Sequence, residues 1–124
     1  MVEKKNNPIL NLTIEFSIES ISFVELLEEK RKFVVANQLL KSSTSIGANV
    51  HEAQNAESKA DFIHKLKIAH KEADETMYWL IICEQAKSYP INSELKNKLV
   101  IIIKILSKII ASTKNNLKTK KLID

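Results

Sequence analysis

The sequence predicts an all-α protein that folds as an antiparallel up-down four-helix bundle. The chain of 124 residues contains only one glycine and two prolines, whereas hairpins and sheets need many such turn residues. Apolar residues recur at steps of three and four along most of the chain, which is the helical period. With 44% apolar residues, this length suits one domain, and we expect a single domain over residues 1–124.

The first two predicted helices are joined without a glycine or a proline. Apolar periodicity from Leu12 predicts a helix at about residues 12–30, and the run that starts at Phe33 predicts a second at about residues 33–55. One uncapped helix of more than roughly 40 residues would be unusual in a domain of this size. We therefore place a break at residues 30–32.

Capping residues mark the other two helices. Ser58, followed by Asp61, resembles a capping box and predicts a third helix at about residues 58–88. Asn92 is a suitable N-cap for a fourth helix at about residues 92–117. Both segments alternate apolar steps of four and three, as helices in bundles do. We expect flexible ends outside the helices.

The single glycine, Gly47, lies inside the second predicted helix. If the second and third helices form a tight antiparallel pair, Gly47 faces Ala69, and two small residues let the backbones approach closely. That contact can offset the ~1 kcal/mol that glycine costs inside a helix. We interpret Gly47 as a packing residue; the alternative is a hinge at Ile46–Gly47.

The run from Gln38 to Cys83 contains S-I-G-A-N, then E-A, then K-E-A-x-E-T-x-Y-W. It resembles the signature of the bacterial four helix bundle protein family, which includes proteins encoded within intervening sequences of 23S rRNA genes. The family is similar to the accessory variability protein of diversity-generating retroelements. The resemblance extends over residues 7–117. It implies a ring-like homo-oligomer, commonly a pentamer, with no established enzymatic activity and an RNA or ribonucleoprotein setting.

Patterns typical of catalytic and metal sites are incomplete. His51–Glu52 begins the zinc-protease motif His-Glu-x-x-His, but position 55 is Asn. The chain lacks the Glu-x-x-His pairs of a di-iron bundle, a Ser-His-Asp relay and a glycine-rich phosphate loop. We expect a protein that is not an enzyme and that uses no metal or cofactor.

Polar residues of the signature have three interpretations. Asn49 and Glu52 share one face of the second helix, as Glu72 and Glu75 share one face of the third. The four side chains form a buried network or a subunit contact, cover a solvated face, or bind a ligand.

Two aromatic residues follow one another on the third helix. Tyr78 and Trp79 project from different sides of that helix. We expect one of them to face the core and the other to face a neighbouring subunit.

The basic excess lies in the C-terminal half of the chain. Residues 1–61 have a net charge of −2, and residues 62–124 have a net charge of +6. A helical projection gathers six lysines of the last helix within about 140° of arc. These are Lys96, Lys104, Lys108, Lys114, Lys118 and Lys121.

This lysine stripe has two explanations. It keeps the helix soluble, or it contacts several phosphates of RNA or DNA at once, with affinity that falls with salt. With a single arginine in the chain, base-specific readout is not expected. We predict a nucleic-acid-associated accessory module; the alternative is a scaffold for another protein.

The composition also indicates where in the cell the protein is located. A lone cysteine, Cys83, cannot form an internal disulfide. The most apolar run is interrupted by Lys104 and Lys108, so it is shorter than the ~20 apolar residues of a membrane span. We expect a cytoplasmic protein without a membrane segment.

Overall fold

The computed structural model of the chain describes residues 7–123, and side chains as far as residue 118. Within that part, the chain forms four α-helices and no strand. The helices are α1 (Pro8–Glu29), α2 (Phe33–Ala53), α3 (Lys59–Gln85) and α4 (Ser93–Ile123). The prediction of an all-α chain with four helices is confirmed.

The outer ends of α1 and α4 differ from the predicted ones. α1 begins at Pro8, not at residue 12, because Asn7 caps it: its Oδ1 accepts from the amide of Leu10 at 3.3 Å. Proline suits the first helical position, where no amide partner is needed. α4 continues to Ile123, past the predicted end at residue 117, where a flexible end was expected. Residues 1–6 and 124 lie outside the described part.

The break between α1 and α2 lies where the sequence predicted it, but its backbone is unexpected. Arg31 has φ 63°, in the left-handed region that usually holds glycine. The amide of Arg31 donates to the Glu28 carbonyl at 2.9 Å, and that of Lys32 donates to the Leu27 carbonyl at 2.8 Å. These bonds satisfy carbonyls at the helix end and offset the ~1–2 kcal/mol of the left-handed residue.

Both predicted caps of the later helices are present. Ser58 Oγ accepts from the Asp61 amide at 3.1 Å, and Asp61 in turn accepts from the Glu57 amide at 3.3 Å. Asn92 Oδ1 accepts from the Leu95 amide at 2.9 Å. Each cap satisfies a donor that the first turn leaves free.

Each helix packs against two others: α2 against α1 and α3, and α4 against α3 and α1. The apolar core lies between them and includes Phe16, Leu39, Leu66 and Leu99. This arrangement is consistent with a bundle.

Gly47 is buried, but its expected partner was wrong. A Cβ placed on Gly47 would lie 3.2 Å from the Thr13 carbonyl oxygen and 3.3 Å from Ser17 Oγ, both on α1. The tight contact of the glycine is therefore with α1, not with Ala69 of α3. Thr13 cannot yield easily, because the close atom belongs to its backbone.

The contact between α2 and α3 is made by small hydroxyl residues. Ser42 and Thr76 are fully buried, and their hydroxyl oxygens lie 2.9 Å apart. Thr76 also donates to the Glu72 carbonyl at 2.8 Å. Since a buried hydroxyl without a partner is costly, this hydrogen bond favours one register of α2 on α3.

A row of isoleucines on α1 faces solvent. Ile14, Ile18 and Ile21 are 44%, 61% and 41% exposed. Their steps of four and three place them on one face of α1.

Replacing Gly47 with leucine should separate α1 from α2. The larger side chain has no space beside the Thr13 backbone, so we expect a loss of roughly 1–3 kcal/mol or more in the free energy of unfolding. Ala48→Leu is the control, since Ala48 is exposed on the same helix. Circular dichroism melting measures both variants. Equal melting of Gly47→Leu and wild type would show that the glycine is not at a tight contact.

A double-mutant cycle tests the Ser42–Thr76 hydrogen bond. We expect Thr76→Val alone to lose about 1 kcal/mol in urea unfolding, and its effect to shrink in a Ser42→Ala background, where the partner is gone. Thr44→Val is the control, because the Thr44 hydroxyl bonds only within α2. Strictly additive effects would contradict coupling between the two hydroxyls.

Candidate nucleic-acid interface

Two lysines near the start of α4 are paired with carboxylates. Lys96 Nζ lies 2.7 Å from Glu84 Oε1 on α3. Lys98 Nζ contacts Glu19 and lies 2.6 Å from Glu15 Oε1, both on α1. Lys96, predicted to bind nucleic acid, is therefore an inter-helix contact, and we leave it out of the candidate interface.

The charges around Lys98 reinforce one another. Its ammonium group holds the pKa of Glu15 below the ordinary value through a hydrogen bond and charge attraction. In return, hydrogen bonds to Glu15 and Glu19 raise the pKa of Lys98. Lys98 and Glu15 thus both remain charged at neutral pH, and the positive charge of Lys98 is matched locally.

Further along α4 the lysines are exposed and unmatched. Lys104, Lys108, Lys114 and Lys118 form no ion pair with a carboxylate among the described residues. Lys121 lies outside the described side chains. These four exposed lysines are called the free lysines below.

A fifth lysine joins them from α3. Lys67 lies beside Lys114, and its ammonium is the main reason that the pKa of Lys114 lies below the ordinary value, with a smaller contribution from Lys118. Sequence reasoning missed Lys67 because the helical projection considered α4 alone. The Lys67–Lys114 contact arises only once α3 and α4 pack together.

An open groove of about 360 Å³ lies at this contact. Lys67 and His70 line it from α3, and Ser107, Ile110, Ala111 and Lys114 line it from α4. His70 Nε2 lies 3.0 Å from Ser107 Oγ, and its Nδ1 lies 3.4 Å from Asp74 Oδ2. The groove combines cationic side chains with an apolar floor, and we call it the α3–α4 groove.

Two signature residues on α2, Asn49 and Glu52, have ordinary partners, and a third signature residue, Ala69, lies on α3. Asn49 Nδ2 donates to the Ser45 carbonyl at 2.8 Å within the helix. Glu52 is exposed and lies 3.0 Å from Lys65 of α3, whose pKa is raised by this hydrogen bond. Ala69 is fully buried in the core.

The signature residues on α3 lie at the margin of the core. Trp79 packs against the core, and its Nε1 donates to Glu75 at 3.2 Å. Tyr78 is 55% exposed, and its ring meets that of Trp79 edge to face at 5.0 Å. Glu72 is half-buried and contributes its carbonyl to Thr76. The inter-helix hydrogen bond in the core is thus formed by hydroxyls instead of the carboxylates.

Other chemistry has little structural support in the described part. No three His, Cys, Asp or Glu side chains there are grouped to hold a metal ion. Burial raises the pKa of the Cys83 thiol to about 11, which disfavours the reactive thiolate. No described helix contains an apolar stretch of the length that a membrane span requires.

Comparisons with known proteins agree with the signature. The family model of the 23S rRNA-intervening sequence protein matches residues 5–111. A crystallised protein of unknown function from the S23 ribosomal protein family of Bacteroides thetaiotaomicron is 39% identical, with a TM-score of 0.78, over 82% of this chain and 97% of that one. No curated protein sequence matches significantly. The chain belongs to the 23S rRNA-intervening sequence protein family.

Proposed function

We propose that the chain is a non-enzymatic accessory protein that binds the phosphate backbone of RNA or DNA. The observation that carries this proposal is the set of free lysines on α4, which no described carboxylate neutralises. Lys96 and Lys98 on the same helix are matched. Other exposed lysines also lack a described carboxylate partner, but they are dispersed over several elements, whereas the four free lysines lie on one stretch of α4.

The residue types favour backbone contacts over base readout. Lysine ammonium groups act as point charges for phosphates, and each neutralised phosphate releases counterions, so affinity falls with salt. The chain has one arginine, the residue that most often reads guanine. Binding without sequence preference follows.

The proposed assembly is an antiparallel up-down bundle that forms a homo-oligomer, with a pentamer as our proposal for its size. Contacts between opposite ends support the antiparallel order: Asn7, before α1, bonds to Gln54, after α2, at 2.8 Å. Likewise Glu84, late in α3, meets Lys96, early in α4. The exposed row of Ile14, Ile18 and Ile21 supports burial against another copy. A ring would repeat the free lysines and raise affinity through multivalency.

A ribonucleoprotein setting in the cytoplasm is the proposed context. The family is described by its link to 23S rRNA, and the crystallised relative by its link to an S23 ribosomal protein family. The second candidate is a scaffold for another protein, which the isoleucine row on α1 favours. In that case the free lysines only keep the bundle soluble.

Charge reversal separates the two candidates. We expect conversion of Lys104, Lys108, Lys114 and Lys118 to Glu to lower affinity for a structured RNA more than tenfold, because favourable phosphate contacts become repulsive. The slope of log affinity against log salt should become shallower by roughly 0.7–0.9 for each phosphate that the variant no longer neutralises. Fluorescence anisotropy at several salt concentrations measures both.

The matched control carries the same change in net charge elsewhere. Lys30, Lys41, Lys59 and Lys87 are exposed and lie outside the free lysines. Their replacement by Glu should weaken binding much less. An equal decrease in both variants would show that only net charge matters, and unchanged binding by the α4 variant at unchanged oligomer mass would favour the scaffold.

A further inference from the structure

The α3–α4 groove brings together charges that destabilise one another. Lys67 and Lys114 lie side by side, and neither forms an ion pair with a described carboxylate. The carboxylate of Asp74 lies 3.4 Å from Nδ1 of His70, another residue of the groove. Like charges at close range cost free energy in the free protein, and an anion between them would remove that cost.

We propose that the α3–α4 groove holds one phosphate group of a nucleotide chain, between the ammonium groups of Lys67 and Lys114. This inference rests on the proposed function, since it names the place on the protein that holds the nucleic-acid backbone most closely. No described carboxylate links Lys67 to α4 or Lys114 to α3. The phosphate itself therefore provides the bridge between the two helices.

Neighbouring groups suit such a ligand. Each ammonium can donate a charge-assisted hydrogen bond to a phosphate oxygen. Ser107 also lines the groove, with its Oγ 3.0 Å from His70 Nε2. The apolar side chains of Ile110 and Ala111 also line the groove and offer a surface for the sugar.

The size of the groove favours a nucleotide over a bare anion. Its volume of about 360 Å³ lies at the lower end of small-molecule sites, roughly 300–1,000 Å³. A free phosphate ion would leave most of this space empty, whereas a nucleotide residue would also cover the apolar floor.

Two charge-matched double variants test the site. Lys67→Gln with Lys114→Gln removes the groove lysines, and Lys104→Gln with Lys108→Gln removes two free lysines outside it. We expect the groove variant to bind a uridine oligonucleotide about tenfold more weakly than wild type, and the control about twofold to threefold more weakly. Fluorescence anisotropy at one fixed salt concentration gives both values.

Melting of the free proteins gives an independent readout. Because Lys67 and Lys114 repel each other, the groove variant should melt at or above the wild-type temperature while it binds less. A residue that only supports the fold would behave in the opposite way. A lower melting temperature for the groove variant would therefore overturn the proposal.

The identity of the phosphate source is tested by NMR titration of the amides of His70 and Ser107. We expect the uridine oligonucleotide to shift these signals at a much lower concentration than inorganic phosphate does. Equal response to both would overturn the nucleotide assignment in favour of a small-anion site. An equal decrease in affinity in the two double variants would overturn the groove alone, whereas wild-type protein that binds no RNA would overturn the proposed function as well.

Discussion

The close approach of α1 and α3 to the small residues of α2 is the constraint on which the rest of the structure depends. On one flank of α2, Gly47 leaves room for the Thr13 backbone of α1. On the other, Ser42 meets Thr76 of α3 at hydrogen-bond distance. Since α2 contacts both neighbours through small side chains, the large apolar residues of the core are left to fill the space between all four helices. The small residues of the signature run, Ser42, Gly47 and Thr76, therefore serve packing between helices.

α4 is held in a different way, and this difference separates the lysines that pair with carboxylates from the free lysines. Its buried leucines and isoleucines pack on the core, while Lys96 and Lys98 pair with carboxylates of α3 and α1. Partly exposed pairs of this kind contribute little stability, but they match charge locally. Beyond Ser107 the neighbouring α3 presents Lys67 instead of an acid. Packing gives no reason for two adjacent lysines there, and the proposed phosphate would offset their repulsion.

Much of the fold could be predicted from the sequence because helical periodicity and caps are local signals. The Ser58 and Asn92 caps were found in this way. The start of α1 was missed because its cap, Asn7, precedes the apolar pattern. The end of α1 was placed on grounds of length, but nothing in the sequence indicates a left-handed Arg31, since that position usually selects glycine.

The site was less predictable because it depends on which helices meet. The spacing of Gly47 places it on the buried side of α2, yet it does not say which neighbour it faces, and α1 was not considered. The projection of α4 found the free lysines but included Lys96, whose partner Glu84 belongs to another helix. Lys67 was missed for the same reason. Single-helix patterns identify which residues share a face, and inter-helix packing decides which of their charges stay unmatched.

Nucleic-acid binding by an oligomer is tested most directly by the molar mass of the protein, measured by light scattering on a sizing column, with and without a structured RNA, at low and at moderate salt. We expect a homo-oligomer that gains mass with RNA at low salt and releases it at moderate salt, because backbone phosphates supply the affinity. A monomer, or an oligomer whose mass RNA does not change at either salt concentration, would contradict this expectation.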